Sequence, residues 1–132
     1  MRDRSIEISA PDALLLRGLL RAHAVGGHDH EHVEELRSEL ERAHVLEPSE
    51  ISPKVVTMHR IVQVLDLVSG ERQRLVLVSP SQADVRALRI SVLAPLGTAL
   101  LGYREGDEVE WLMPGGVRRL RIERVLHQAR TH

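Results

Sequence analysis

The spacing of apolar residues changes once along this chain, at "EPSEISP", residues 47–53. Upstream, apolar residues recur at helical spacing; downstream they alternate and become β-branched, as strands require. One such break predicts an α+β chain of two parts, helical first and β-rich second. We expect a helical part over residues 1–48 and a β-rich part over 49–132. With 132 residues in all, each part can bury only a modest core.

Ser9-Ala10-Pro11-Asp12 predicts a helix start, with a serine cap, a proline in the first turn and an acid three residues after the cap. Leu15, Leu19 and His23 then share a face, with Leu16 and Leu20 beside them. Gly26-Gly27 ends that helix, because glycine accepts the left-handed conformation without steric penalty. A second helix is expected from near Asp29 to about Leu46, with Val33, Leu36, Leu40 and Ala43 as its seam. Glu34, Glu35, Arg37, Glu39, Glu41 and Arg42 cover its other faces. Together these make an antiparallel helical hairpin, a short coiled coil with a thin seam.

Downstream, "RIVQVLDLV" (60–68), Ser69-Gly70 and "ERQRLVLVS" (71–79) predict a β-hairpin. "LRISVLAP" (88–95) predicts a third strand, and "LGTALLG" (96–102) a short helix closed by Gly102. "DEVEWLM" (107–113), Pro114-Gly115-Gly116 and "VRRLRIERVL" (117–126) predict a second hairpin. Strict alternation puts Arg119 and Arg121 on one face of that last strand and Arg118 and Arg124 on the other. A solvated or edge strand blunted by charge and a docking face for an acidic partner explain these arginines equally well.

Composition narrows the function. The formal charge of −1 gives no general attraction to nucleic acid, so no DNA sequence is expected to be read. The absence of cysteine excludes disulfides, thiolate nucleophiles and sulfur-ligated zinc. Phe is absent, and Trp111 and Tyr103 are single, which argues against base stacking and against an aromatic-lined pocket for a small-molecule substrate. The N-terminus lacks the apolar core of a signal peptide, and no apolar run approaches the roughly 20 residues of a membrane span. We therefore expect a cytoplasmic protein without a cofactor or a membrane partner.

"GGHDHEH", residues 26–32, is the densest cluster of potential ligands. His28 and His32 are four apart, a helical spacing at which two imidazoles can share a metal, but the helical zinc-protease pattern places its glutamate elsewhere. No fourth ligand is evident in the sequence. The cluster reads as a solvated turn with at most weak metal binding by His28 and His32. No Gly-x-Ser-x-Gly or phosphate-loop pattern occurs, so no catalytic residues are assigned.

Residues 90–116 are more specific. Ile90-Ser91, Pro95, Ala99-Leu100-Leu101-Gly102, Gly106-Asp107-Glu108-Val109 and Pro114-Gly115-Gly116 follow one another in the order that resembles the C-terminal domain of Gre-type transcription factors. "VVTMHRIVQVLDLVSGE" (55–71) resembles the same family, and the likeness spans about residues 36–126. "VVTM" (55–58) and "SVLAPLGTALLG" (91–102) are most similar to its short Rnk-type branch, the regulators of nucleoside diphosphate kinase.

The resemblance implies an FKBP-like C-terminal domain, an antiparallel sheet with one short helix. Prolyl isomerase activity does not follow, because that pocket is aromatic. It also implies bacterial RNA polymerase as partner, docked at the rim of the secondary channel through Leu93, Ala94, Pro95, Leu96 and Gly97. The cleavage factors of the family tend to have a polar or acidic residue where this chain has Leu93. In those factors a long coiled coil delivers an acidic pair that holds magnesium at the polymerase active site. Here the corresponding tip is His28, Asp29, His30, Glu31 and His32, and its acids are two apart rather than three. Helices of about 15 and 18 residues reach roughly 22 and 27 Å, short of the family length. The expectation is a non-enzymatic regulator that competes with longer Gre-type factors. The alternatives are cleavage stimulation by Asp29 and Glu31, and a metal-responsive hairpin using His28, His30 and His32.

Overall fold

A computed structural model describes residues 6–22, 30–113 and 116–126. Internal contacts divide the chain into an N-terminal unit, Met1–Ser52, and a C-terminal unit, Pro53–His132.

In the N-terminal unit a short strand, β1 (Glu7–Ser9), runs directly into helix α1 (Ala10–Ala22). Ser9 caps that helix as its sequence predicts: its Oγ accepts from the Asp12 backbone N–H at 3.2 Å. Helix α2 (His30–Glu41) follows, and strand β2 (His44–Leu46) pairs in parallel with β1, Ile8 opposite Val45. Ile6, Ile8, Ala13, Leu16, Leu20, Leu36 and Leu40 are buried.

Three expectations are corrected here. Helix two stops at Glu41 rather than near Leu46, because the chain turns at Arg42 and Ala43 and gives residues 44–46 to the pairing with β1. The buried stripe of α1 is Ala13, Leu16 and Leu20, while Leu15 is 39% exposed. Two adjacent leucine stripes compete in "LLLRGLL", and packing selects one of them. Glu39, expected on a solvated face, is 3% exposed, being three residues after Leu36 and beside Leu40. His23 lies outside the described residues.

The C-terminal unit is a five-stranded sheet. Its strands are β3 (Ile61–Asp66), β4 (Arg72–Val78), β5 (Arg89–Ser91), β6 (Glu108–Met113) and β7 (Gly116–Leu126), in spatial order β5-β4-β3-β7-β6. Both predicted hairpins form: β3 with β4 and β6 with β7, each antiparallel. The predicted third strand is shorter and runs parallel to β4. Short 3₁₀ turns at Pro80–Gln82 and Val85–Ala87 carry the chain back before it enters β5, with Leu88 left-handed at φ 57°. Helix α3 (Pro95–Leu100) follows. The core is aliphatic: Val62, Val64, Leu75, Leu77, Leu100, Leu101, Val109, Leu120, Ile122 and Val125 are all buried.

Strand β7 contains a bulge. Gln63 pairs with Arg124 and Val64 with Ile122, which leaves Glu123 as an extra residue. Parity therefore changes at Glu123, so Arg124 joins the face of Arg119 and Arg121 instead of the face of Arg118 that strict alternation predicts.

Candidate functional site

The five residues singled out after β5 form a clamped apolar ridge at one end of the sheet. Ser91 is the clamp. Its Oγ accepts from the Leu93 N–H at 3.1 Å, and its carbonyl accepts from the Ala94 N–H at 3.0 Å. Val92 is buried and donates to the Val78 carbonyl at 2.8 Å, which fastens the loop to β4. Ala94 is extended and caps α3, and Pro95 starts that helix, where its missing N–H is not needed.

Pro95 is exposed, and Leu93, Ala94 and Leu96 are partly exposed. Gly97 differs from these four in being buried. A Cβ at residue 97 would lie 2.2 Å from the Ser91 carbonyl oxygen and 2.9 Å from the Val92 Cα. Glycine here lets the helix close onto the strand end, so the presented surface is Leu93 to Leu96. Thr98, Leu100 and Leu101 bury the other side of α3, and the Thr98 hydroxyl donates to the Pro95 carbonyl at 3.0 Å.

The remaining motif residues support this end of the sheet. Gly102, at φ 86°, donates to the Val56 carbonyl, and Val56 donates to the Tyr103 carbonyl at 2.7 Å, so "VVTM" is tied to the end of α3. Gly106 turns at φ 93°, and the Asp107 carboxylate accepts from the Arg104 N–H at 2.9 Å. Glu105 accepts from the Val125 N–H at 2.7 Å, just beyond the β7 bulge. Pro114 and Gly115 lie outside the described residues.

At the opposite end of the sheet, Asp66 organises the β3–β4 turn. Its Oδ1 accepts from the backbone N–H groups of Val68 and Ser69, and its Oδ2 accepts from Arg118 at 2.6 Å. The Ser69 N–H, then the Arg118 guanidinium, then the Val68 N–H hold its carboxyl below the ordinary value. Glu123 is likewise held low, by Arg72 first and Gln63 second.

Of the histidine-rich candidates, His28 and Asp29 lie outside the described residues. His30, Glu31 and His32 fall in the first turn of α2. Among the described residues no group of three or more acidic or histidine side chains could hold a metal ion, and no helix is long and apolar enough to cross a membrane. Two features lay beyond the sequence reading. The Ser91 clamp had only the Ile-Ser motif as its signal, and the bulge at Glu123 had none.

Residues 93–96 thus form a partly exposed apolar loop, fastened from beneath by backbone hydrogen bonds and a buried glycine. Residues 51–127 match the family model described as transcription elongation factor, GreA/GreB, C-term, and the chain belongs to that family. A regulator of nucleoside diphosphate kinase from Escherichia coli K12 is 43% identical over 82 residues, 62% of this chain and 60% of its own length. The chain thus matches less than two thirds of that relative. The transcription elongation factor GreA of Thermodesulfovibrio yellowstonii is 32% identical over 120 residues, covering 81% of this chain and 76% of that protein. A solved structure, the prokaryotic transcription elongation factor GreA/GreB from Nitrosomonas europaea, superposes with a TM-score of 0.79 at 42% identity. It covers 95% of this chain and 100% of its own.

Proposed function

We propose that this chain is a transcription regulator that binds bacterial RNA polymerase, docking at the rim of the secondary channel through Leu93, Ala94, Pro95 and Leu96. The observation that carries the reading is the ridge itself, clamped by Ser91 and Gly97, inside a family match that spans residues 51–127. We read the C-terminal unit as FKBP-like and the protein as cytoplasmic, as the partner requires. The chain acts as a regulator and is not itself an enzyme.

Two modes follow from docking. The first is an elongation factor that stimulates transcript cleavage, with Asp29 and Glu31 holding a metal at the polymerase active site. Support comes from the elongation factors to which the chain is similar, including one matched over 81% of this chain. The second mode occupies the channel without cleavage and competes with longer factors. Support comes from the short stretch of chain between β1 and β2, which allows each arm at most about 17 residues, or about 25 Å at the helical rise.

Stalled elongation complexes separate the modes. In the first, adding the protein shortens RNA 3′ ends, and Asp29→Ala abolishes the effect. In the second, RNA length is unchanged while a long-hairpin factor is displaced. Absence of both effects, with no association with core polymerase, contradicts the proposal as a whole.

A further inference from the structure

The outer face of the C-terminal sheet carries chemistry that the ridge does not use. Residues directly opposite on neighbouring strands share a face. The register lines up Arg74, Gln63 and Arg124 in one row, and Arg72, Leu65, Arg121 and Glu108 in the next. Arg119 and Glu110 follow along β7 and β6.

Arg124 is on this face only because of the bulge. Alternation from Leu120 and Ile122 would turn Arg124 toward the core; the extra residue Glu123 turns it outward and buries Val125. Bulges interrupt a ladder and recur where a strand re-aims a side chain. Arg124 is exposed and has no ion-pair partner among the described residues.

The neighbouring guanidinium groups are oriented but not consumed. Arg72 is held through Nε by Glu123 Oε1 at 2.9 Å, and Arg74 through Nε by Gln63 Oε1 at 3.0 Å. Gln63 in turn donates to Glu123 at 3.1 Å. Anchoring through Nε leaves the terminal amino groups as donors in a fixed plane, the geometry that carboxylates accept in pairs. Arg72 is 60% exposed, so an incoming carboxylate can reach it while Glu123 holds its Nε. One row further, Ile61 pairs with Val76 and Leu126, and all three are only half-buried.

We propose that this face is a second docking surface, for an acidic protein segment. Its carboxylates take the free donors of Arg72, Arg74 and Arg124, and its apolar side chains cover Ile61, Val76 and Leu126. A nucleic-acid backbone fits less well, because Glu108, Glu110 and Glu123 stand in the same field. Arginine beside apolar side chains is the composition of protein interfaces. The surface is independent of the ridge and of which partner holds the ridge.

The test is a titration of the isotope-labelled full chain, followed by backbone amide resonances. One arm uses a short synthetic peptide of mixed glutamate and leucine; the other uses duplex DNA of arbitrary sequence. The peptide is expected to shift amides of β3, β4 and β7. The double variant Arg74→Ala, Arg124→Ala should weaken its binding at least about fivefold while the remaining spectrum is retained. Peptide binding that leaves these strands unshifted, or equal binding by the variant, overturns the proposal. Displacement of the peptide from this face by DNA does so too, and reassigns the surface to nucleic acid.

Discussion

Gly97 is the residue with the least freedom to change. Any Cβ there meets backbone atoms of Ser91 and Val92 rather than a flexible side-chain end. Gly97→Ala should destabilise the C-terminal unit by at least about 2 kcal/mol, measured by urea unfolding. An unchanged midpoint would show that α3 does not close on β5 as described. Asp66 gives a pH-dependent counterpart. Its carboxyl is lowered in the folded state, so its contribution is complete above the unfolded value and is lost as pH falls through the folded one. Stability of the wild type should therefore fall more steeply than that of Asp66→Asn below about pH 4. Parallel stability–pH curves would exclude the role. Individual residues were unevenly legible in the sequence. The Ser9 cap could be read because its partner is three residues away. The need for glycine at 97 could not, because it comes from a carbonyl that only the folded chain brings near.

Among the elements, the parallel pair β1 and β2 was the largest omission. Three-residue strands have too little periodicity to announce themselves, and their pairing joins segments that are distant in sequence. "HVL" at 44–46 also continues the charged helical run before it, so local reading extends α2 through it. The pairing has a consequence for stability. Ile8 is 1% exposed at the base of the hairpin, and Ile8→Ala should cost about 2–4 kcal/mol. Amide exchange should accelerate in α1 and α2 more than in β3 and β7. Equal acceleration everywhere would mean that the hairpin does not depend on this pairing. The hairpins β3–β4 and β6–β7 were legible because alternation and turn residues are local signals. The parallel direction of β5 was not legible, because it depends on the left-handed Leu88 and on how the preceding turns carry the chain.

For the whole molecule, the order of motifs between residues 90 and 116 was the most informative signal, and the structure explains why. Ser91, Gly97, Gly102, Gly106 and Asp107 each fix backbone rather than present chemistry, so their spacing records a fold. The surface they hold up, Leu93 to Leu96, is chemically plain and has no distinctive pattern of its own. The central claim is that this ridge docks on RNA polymerase. Its most direct test is equilibrium binding of the full chain to bacterial core polymerase, in competition with a long-hairpin Gre factor, for the wild type and Leu93→Arg. The account predicts that the wild type displaces the longer factor and that Leu93→Arg, with its circular dichroism unchanged, binds at least about tenfold more weakly. Wild-type protein that fails to bind, or a Leu93→Arg variant that competes as well as the wild type, would contradict it.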